Sequence, residues 1–258
     1  MGVHADLVGR SRAFWDEVAQ QDAMWHIATG AASDTETFFA SGRPETDTFL
    51  LHTGVVPDPS GTVLEIGCGM GRMTSRLAEL YGAVIALDVS PEMLAKARDA
   101  LSGHHNIRYV LGGGTDLAEI ESGSVDAVFS YIVLQHVPTV AGQLNYFRET
   151  RRVLRPAGVA AIQIRTNTLT ARGLDWAGHL RHRLQGRHTL DKAWRGTRVP
   201  RRELLAAASG IGPADGPGVG VRASVKLRPF GRRHTWVVIR RRGPDEPVLV
   251  DGDDPDPL

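Results

Sequence analysis

Cysteine is almost missing from the chain: Cys68 stands alone among 258 residues. One thiol excludes an intrachain disulfide and cannot by itself build a thiolate metal site, and such sparing use fits a reducing compartment. Long apolar runs are missing as well. Nothing approaches the roughly 20 residues of a membrane-spanning helix, and Asp6, Arg10, Arg12, Asp16 and Glu17 occupy the region where a secretory signal would be apolar. A soluble cytoplasmic protein is the expectation. Acids are scarce in one region only. Residues 151–242 hold 21 of the 30 Lys and Arg but four acids, an excess of 17, although the chain as a whole carries a net charge of +1. That segment is expected to attract anions. No fixed-period repeat is visible, and low complexity is confined to "GPDEPVLVDGDDPDPL", residues 243–258, read as a disordered acidic tail that partly neutralises the basic face.

What remains is ordinary globular material, 42% hydrophobic and 23% charged, enough for one α/β domain with additions. Residues 10–56 carry two helical patterns, "RSRAFWDEVAQQ" and "PETDTFLLHTG", joined by an irregular aromatic stretch. From residue 62 short apolar runs alternate with amphipathic helices: "TVLEI", helix 71–81, "AVIALD", helix 91–103, "IRYVL", "VDAVFSY", helix 140–154 and "VAAIQIR". This alternation predicts a parallel sheet covered on both faces. Ser90 ahead of Pro91 is an N-cap followed by the helical position that tolerates proline, so the second strand must close at Asp88. Farther on, "PRRELLAAAS" predicts a helix, and "VRASVKL" with "HTWVVIRR" a hairpin.

The turn "VLEIGCGMGR" places Gly67, Gly69 and Gly71 at every second position between a buried strand and a helix. Such a turn offers bare N–H groups and a helix N-terminus to a ligand. Dinucleotides and S-adenosylmethionine are the two ligand classes that use it. The dinucleotide fingerprint needs glycine at the first, third and sixth positions, whereas the sixth position here is Arg72. Glu65 would repel a pyrophosphate but can hold an ammonium group. Both features favour the sulfonium cofactor.

With "IALDVSPEMLAKAR" (85–98), "GGGTDLAEIESGSVDAVFSYIVLQHV" (112–137) and "VLRPAGVAAI" (153–162), the chain resembles the class I S-adenosylmethionine-dependent methyltransferases of small-molecule type, over about residues 60–165. The resemblance implies a Rossmann-like α/β fold: a seven-stranded, mostly parallel sheet with helices on both faces and a C-terminal β-hairpin. It divides the chain into a helical lid at 1–58, the cofactor domain at 59–242 with a substrate-cap insertion at 166–198, and the tail at 243–258. Glu65, Gly67, Cys68, Gly69 and Gly71 match the cofactor loop. Asp88 matches the acid that takes both ribose hydroxyls, with Val89 beside it, and Met93, Gly114, Asp116 and Leu117 match the surroundings of adenine.

Methyl transfer is an in-line displacement, so alignment carries much of the catalysis, and a hydroxyl nucleophile also needs a base. His136 in "SYIVLQHV" is the candidate base, its alternative being a loop tether. Tyr131 and Gln135, with Arg165 and Arg172, are candidates for binding substrate. Some relatives hold a metal with glutamates in this loop, where this chain has Ile132 and Gln135, so no metal is expected. His179, His182 and His188 stand among arginines without an acid cluster and are not assigned as ligands. The reaction expected is methylation of a hydroxyl on an anionic or polyhydroxylated small molecule such as a sugar acid. Its alternatives are small-molecule N-methylation, or methylation of RNA drawn to the basic segment. A homodimer is left open and no membrane partner is expected.

Overall fold

Strands buried on both faces must be covered on both, and the chain alternates accordingly. The computed structural model describes residues 2–21, 23–28, 34–165, 199–211, 222–230, 234–243 and 250. Three helices come first, α1 (Gly2–Gln21), α2 (Ala23–Ala28) and α3 (Thr35–Thr53). The alternating body follows: β1 (Thr62–Ile66), α4 (Thr74–Leu80), β2 (Ala83–Asp88), α5 (Pro91–Ala100), β3 (Ile107–Leu111), β4 (Val125–Ser130), a 3-10 turn at Leu134–His136, α6 (Val140–Val153) and β5 (Leu154–Arg165). The last elements are α7 (Arg201–Ser209), β6 (Ala223–Phe230) and β7 (His234–Arg241). Among the described residues, no helix is long and apolar enough to cross a membrane.

The sheet order is β3-β2-β1-β4-β5-β7-β6. Strands β1 to β5 pair in parallel, and β7 runs antiparallel between β5 and β6. The expected seven strands and final hairpin are therefore present. Side chains alternate across this sheet as the pleat requires. Leu64, Ile66, Leu87, Ile162 and Val237 join one core cluster with Phe147 of α6 and Leu204 of α7. Val63, Val84, Phe129 and the fully buried Trp236 join the opposite one with Phe49 of α3 and Leu77 of α4. Because β2 lies on one side of β1 and β4 on the other, the chain leaves β1 and β4 in diverging directions. That reversal opens a crevice at their carboxyl ends.

Local signals set most boundaries. Ser90 Oγ accepts from the Met93 N–H at 3.1 Å with Pro91 at the first helical position, and Thr139 Oγ1 accepts from Gly142 N–H at the start of α6. Three expectations shift. Helix α3 runs through Pro44 and begins after Asp34, whose carboxylate accepts from Thr37 N–H at 2.8 Å; the cap, not the proline, fixes the start. Helix α4 begins at Thr74, because the glycine loop must turn before a helix can form. Strand β5 starts at Leu154, since Leu154 pairs with Val125 ahead of a register shift that Ala157 accommodates at φ 64°.

The expected insertion 166–198, with Arg172, His179, His182 and His188, lies outside the described residues. Of the acidic tail, Gly243 and Val250 are described, and Val250 forms an isolated bridge with Val225 on β6.

Candidate functional site

The glycine loop bends tightly because it has to pass beneath the β4 loop. Gly67, Gly69 and Gly71 all have positive φ, at 75°, 53° and 89°. A Cβ on Gly67 would lie 2.3 Å from Val133 Cγ2, and one on Gly71 would lie 2.6 Å from Leu101 Cδ1. Both positions therefore need glycine for conformation and for space. The N–H groups of Gly67 and Cys68 donate to the Leu87 carbonyl at 2.7 and 3.1 Å, which locks the loop to the end of β2.

Asp88 closes that strand. Its Oδ2 accepts from Gly69 N–H at 2.9 Å and its Oδ1 from Ser90 N–H at 3.0 Å. The carboxylate is 8% exposed. Burial raises its pKa most, those backbone donors oppose the rise, and Asp16 of α1 adds to it. Asp16 is brought there by Ser90, whose hydroxyl donates to Asp16 Oδ1 at 2.5 Å. One serine thus caps α5 and ties the N-terminal helix to the rim of the crevice.

Glu65 lies one turn of the pleat behind the loop and is 4% exposed. Thr74 Oγ1 donates to its Oε2 at 2.5 Å. Burial pushes its pKa up to about 7, against the pull of Thr74 and of the Arg72 guanidinium. Two carboxylates on neighbouring strand ends, both poorly solvated, make this crevice suited to polyhydroxy or cationic groups.

The crevice has a volume of about 910 Å³ including its open mouth. Of the residues expected at a cofactor, Glu65, Gly67, Cys68, Gly69, Asp88, Val89 and Met93 line it, together with Tyr131 and His136. A smaller adjoining hollow is lined by Val8, Arg12, Val89, Gly114 and His136. Gly71 stands behind the wall, against α5. Leu117 is fully buried in the core, and Asp116 lines neither cavity, its carboxylate accepting weakly from Ala118 N–H at 3.4 Å. Arg165 ends β5 opposite His234, also outside both linings.

His136 borders both cavities, and its ring meets Trp15 of α1 edge-on at 5.2 Å. Its Nε2 lies 3.2 Å from Gln135 Nε2. When the amide donates, the ring accepts at Nε2 and carries its proton on Nδ1. Gln135 therefore reaches the histidine and not the cavity wall. Arg72, Met73, Ile27 and Ile132 line the crevice although the sequence drew no attention to them as ligand contacts. Trp15 was legible as an aromatic in a helical preface. Nothing in the spacing distinguished Arg72 from a surface arginine.

A family model described as a methyltransferase domain matches residues 64–162. The ubiquinone biosynthesis O-methyltransferase of Xanthomonas campestris pv. campestris is 32% identical over 121 residues, 46% of this chain and 49% of that protein. A trans-aconitate 2-methyltransferase of Deinococcus radiodurans is 36% identical over 116 residues, covering 44% of this chain and 42% of that one. The match thus spans about half the length of these curated relatives. Among solved structures, NodS, an N-methyltransferase of Bradyrhizobium japonicum in complex with S-adenosylhomocysteine, superposes with a TM-score of 0.58 at 13% identity, covering 90% of this chain and 99% of its own. Phosphoethanolamine N-methyltransferase 1 of Haemonchus contortus gives 0.58 at 16% identity, covering 94% of this chain and 51% of that one. At such identities these two speak to the fold alone.

Proposed function

We propose that this chain, which carries a class I S-adenosylmethionine-dependent methyltransferase domain, transfers the methyl group of S-adenosylmethionine to an oxygen of a small anionic or polyhydroxylated molecule. The observation that carries the reading is the Asp88 carboxylate, buried at the end of β2 and already gripping the glycine loop through Gly69. A carboxylate so placed accepts two hydrogen bonds from a vicinal diol and couples that grip to the loop geometry. Glu65 supplies the complementary group for an ammonium, and Met93 and Val89 offer apolar surface to a planar base. Positive φ at all three glycines sets the course of the loop, and Gly67 and Gly69 present bare backbone at the crevice wall.

The bound sulfonium supplies an activated methyl carbon, and the protein's task is to align a nucleophile with it. Tyr131 and His136 rise from the loop after β4 on the cavity wall. In this reading His136 takes the proton of an acceptor hydroxyl at Nε2, exchanging the Gln135 amide for the substrate. Trp15 packs on the imidazole and helps exclude water from the reacting centre. The basic composition of 151–242, together with a curated relative named for trans-aconitate, supports an anionic acceptor, for which Arg165 and Arg172 are the candidate partners.

The test is a screen with methyl-labelled S-adenosylmethionine against hydroxylated acids, amines and RNA. Label incorporated into a hydroxy acid or a carboxylate supports the reading. Label confined to amines or to RNA moves the acceptor to nitrogen or to nucleic acid.

A further inference from the structure

Strand β6 ends the sheet, with β7 on its inner side. An end strand offers a row of N–H and C=O groups on which another chain can pair. Its first half is nevertheless covered. Ala223 and Val225 are fully buried, in the cluster that holds Leu204 and Ala208 of α7. Val250, from the acidic tail, packs against the same cluster and bridges Val225 in parallel on the outer side.

One bridge fixes a register, because paired strands advance residue for residue. Carried along from Val225 and Val250, it sets Val248 beside Ala223, Asp251 beside Lys226 and Asp253 beside Arg228. Alternate residues of a strand face one way, so Val248 shares the core face with Val250. Lys226 and Arg228 are exposed and belong to the other face, where each meets an acid. A shift by one residue in either direction sets Gly252 or Val250 beside Lys226 and turns Val250 from the core. The run Val248, Leu249, Val250 suits a strand, and Pro247 stands at its threshold, where a strand admits proline. The reach is sufficient within one chain. Arg241 pairs with Ala223, so β7 delivers the chain to the start of β6. Crossing to the outer side of β6 takes two strand spacings, roughly 10 Å, and the six residues 242–247 extend to about 20 Å.

We propose that residues 248–253 pair in parallel with β6 as an eighth strand, so that the acidic tail of the same molecule closes the sheet edge. Backbone bonds and Val250 supply the hold, and the acids set the register, because exposed ion pairs contribute little stability. The new edge carries Asp251, Asp253, Asp254 and Pro255, and charge with proline discourages the addition of a further strand. Strands β5 and β7 stand between this edge and β4, which keeps it apart from the crevice.

Hydrogen exchange on the full chain, read by mass spectrometry over residues 223–228, compares the wild type with Val250→Asp. Protection there should fall about 10-fold, the scale of one backbone hydrogen bond, while β1 to β4 exchange as in the wild type. Unchanged protection at 223–228, or an equal loss across the whole sheet, overturns the eighth strand. Register is tested by exchanging charges. Lys226→Glu and Asp251→Lys should each lower protection about two- to fivefold, and the double variant should restore it; additive losses overturn the register. Wild-type protection should not depend on protein concentration. Protection that falls on dilution, with a dimer dissociating in sedimentation over the same range, makes the occupant the tail of a second copy and overturns closure within one molecule.

Discussion

Gln163 Oε1 accepts a hydrogen bond from the Ile132 backbone N–H across 3.2 Å, and Ile132 holds a φ of 56°. A β-branched residue in the left-handed region is strained. Its N–H faces away from any strand ladder, and Gln163, 1% exposed on β5, supplies the acceptor that makes the conformation tolerable. The bond fixes the path of the loop that carries Tyr131, Val133 and His136 to the crevice.

Replacing that acceptor should therefore separate turnover from cofactor binding. Gln163→Met, close in volume, is expected to cost about 1–3 kcal/mol of stability by stranding the Ile132 N–H. It should lower kcat more than it weakens S-adenosylhomocysteine. Urea unfolding and calorimetry together check this, and an unchanged kcat would show that the loop keeps its shape without Gln163.

His136→Ala should reduce kcat by roughly 10²–10⁴ with little change in cofactor affinity, the range expected for losing a general base. Full activity in His136→Ala would make the histidine a loop tether and not the base.

Glu65 couples stability to pH. Its pKa is raised by burial from 4.5 to about 7, so the folded state binds a proton more tightly than the unfolded chain does. The resulting stability is present below about pH 4.5 and is lost as pH rises toward 7. Glu65→Gln should accordingly stabilise the ligand-free protein at pH 8 by about 3–4 kcal/mol, at roughly 1.4 kcal/mol per pKa unit, and change little at pH 4. The same substitution should weaken S-adenosylhomocysteine. Thermal melts at the two pH values, with and without ligand, give the four numbers required.

Gly67→Ala places a methyl group 2.3 Å from Val133 at a φ of 75°. Strain and overlap together should destabilise the protein by about 1–3 kcal/mol and abolish cofactor binding, because Val133 cannot retreat without moving the β4 loop. Retained binding would show that the loop has slack.

Much of this was legible in the sequence for identifiable reasons. Ser90 and Pro91 fixed the start of α5, and hence Asp88 at a strand end, through short-range capping chemistry. The glycine spacing located the loop because each glycine is needed where it stands. Helix α3 was misread at its start because Pro44 is a strong local signal, overridden by the Asp34 cap and by packing of Phe38 and Phe49. Arg72, Gln163 and the Asp16–Ser90 tie were not legible. Each is defined by a partner tens of residues away, and no local pattern encodes which arginine or glutamine will be buried.

Calorimetric titration of the full chain with S-adenosylhomocysteine, comparing wild type with Asp88→Ala, tests most directly whether the crevice at the ends of β1 and β2 is a methyl-donor site. The predicted result is a dissociation constant of about micromolar order for the wild type and a loss of roughly 2–4 kcal/mol in the variant, one to two charge-assisted hydrogen bonds to the ribose. Equal affinity of the two proteins, or wild-type binding of NAD as tight as that of S-adenosylhomocysteine, would contradict it.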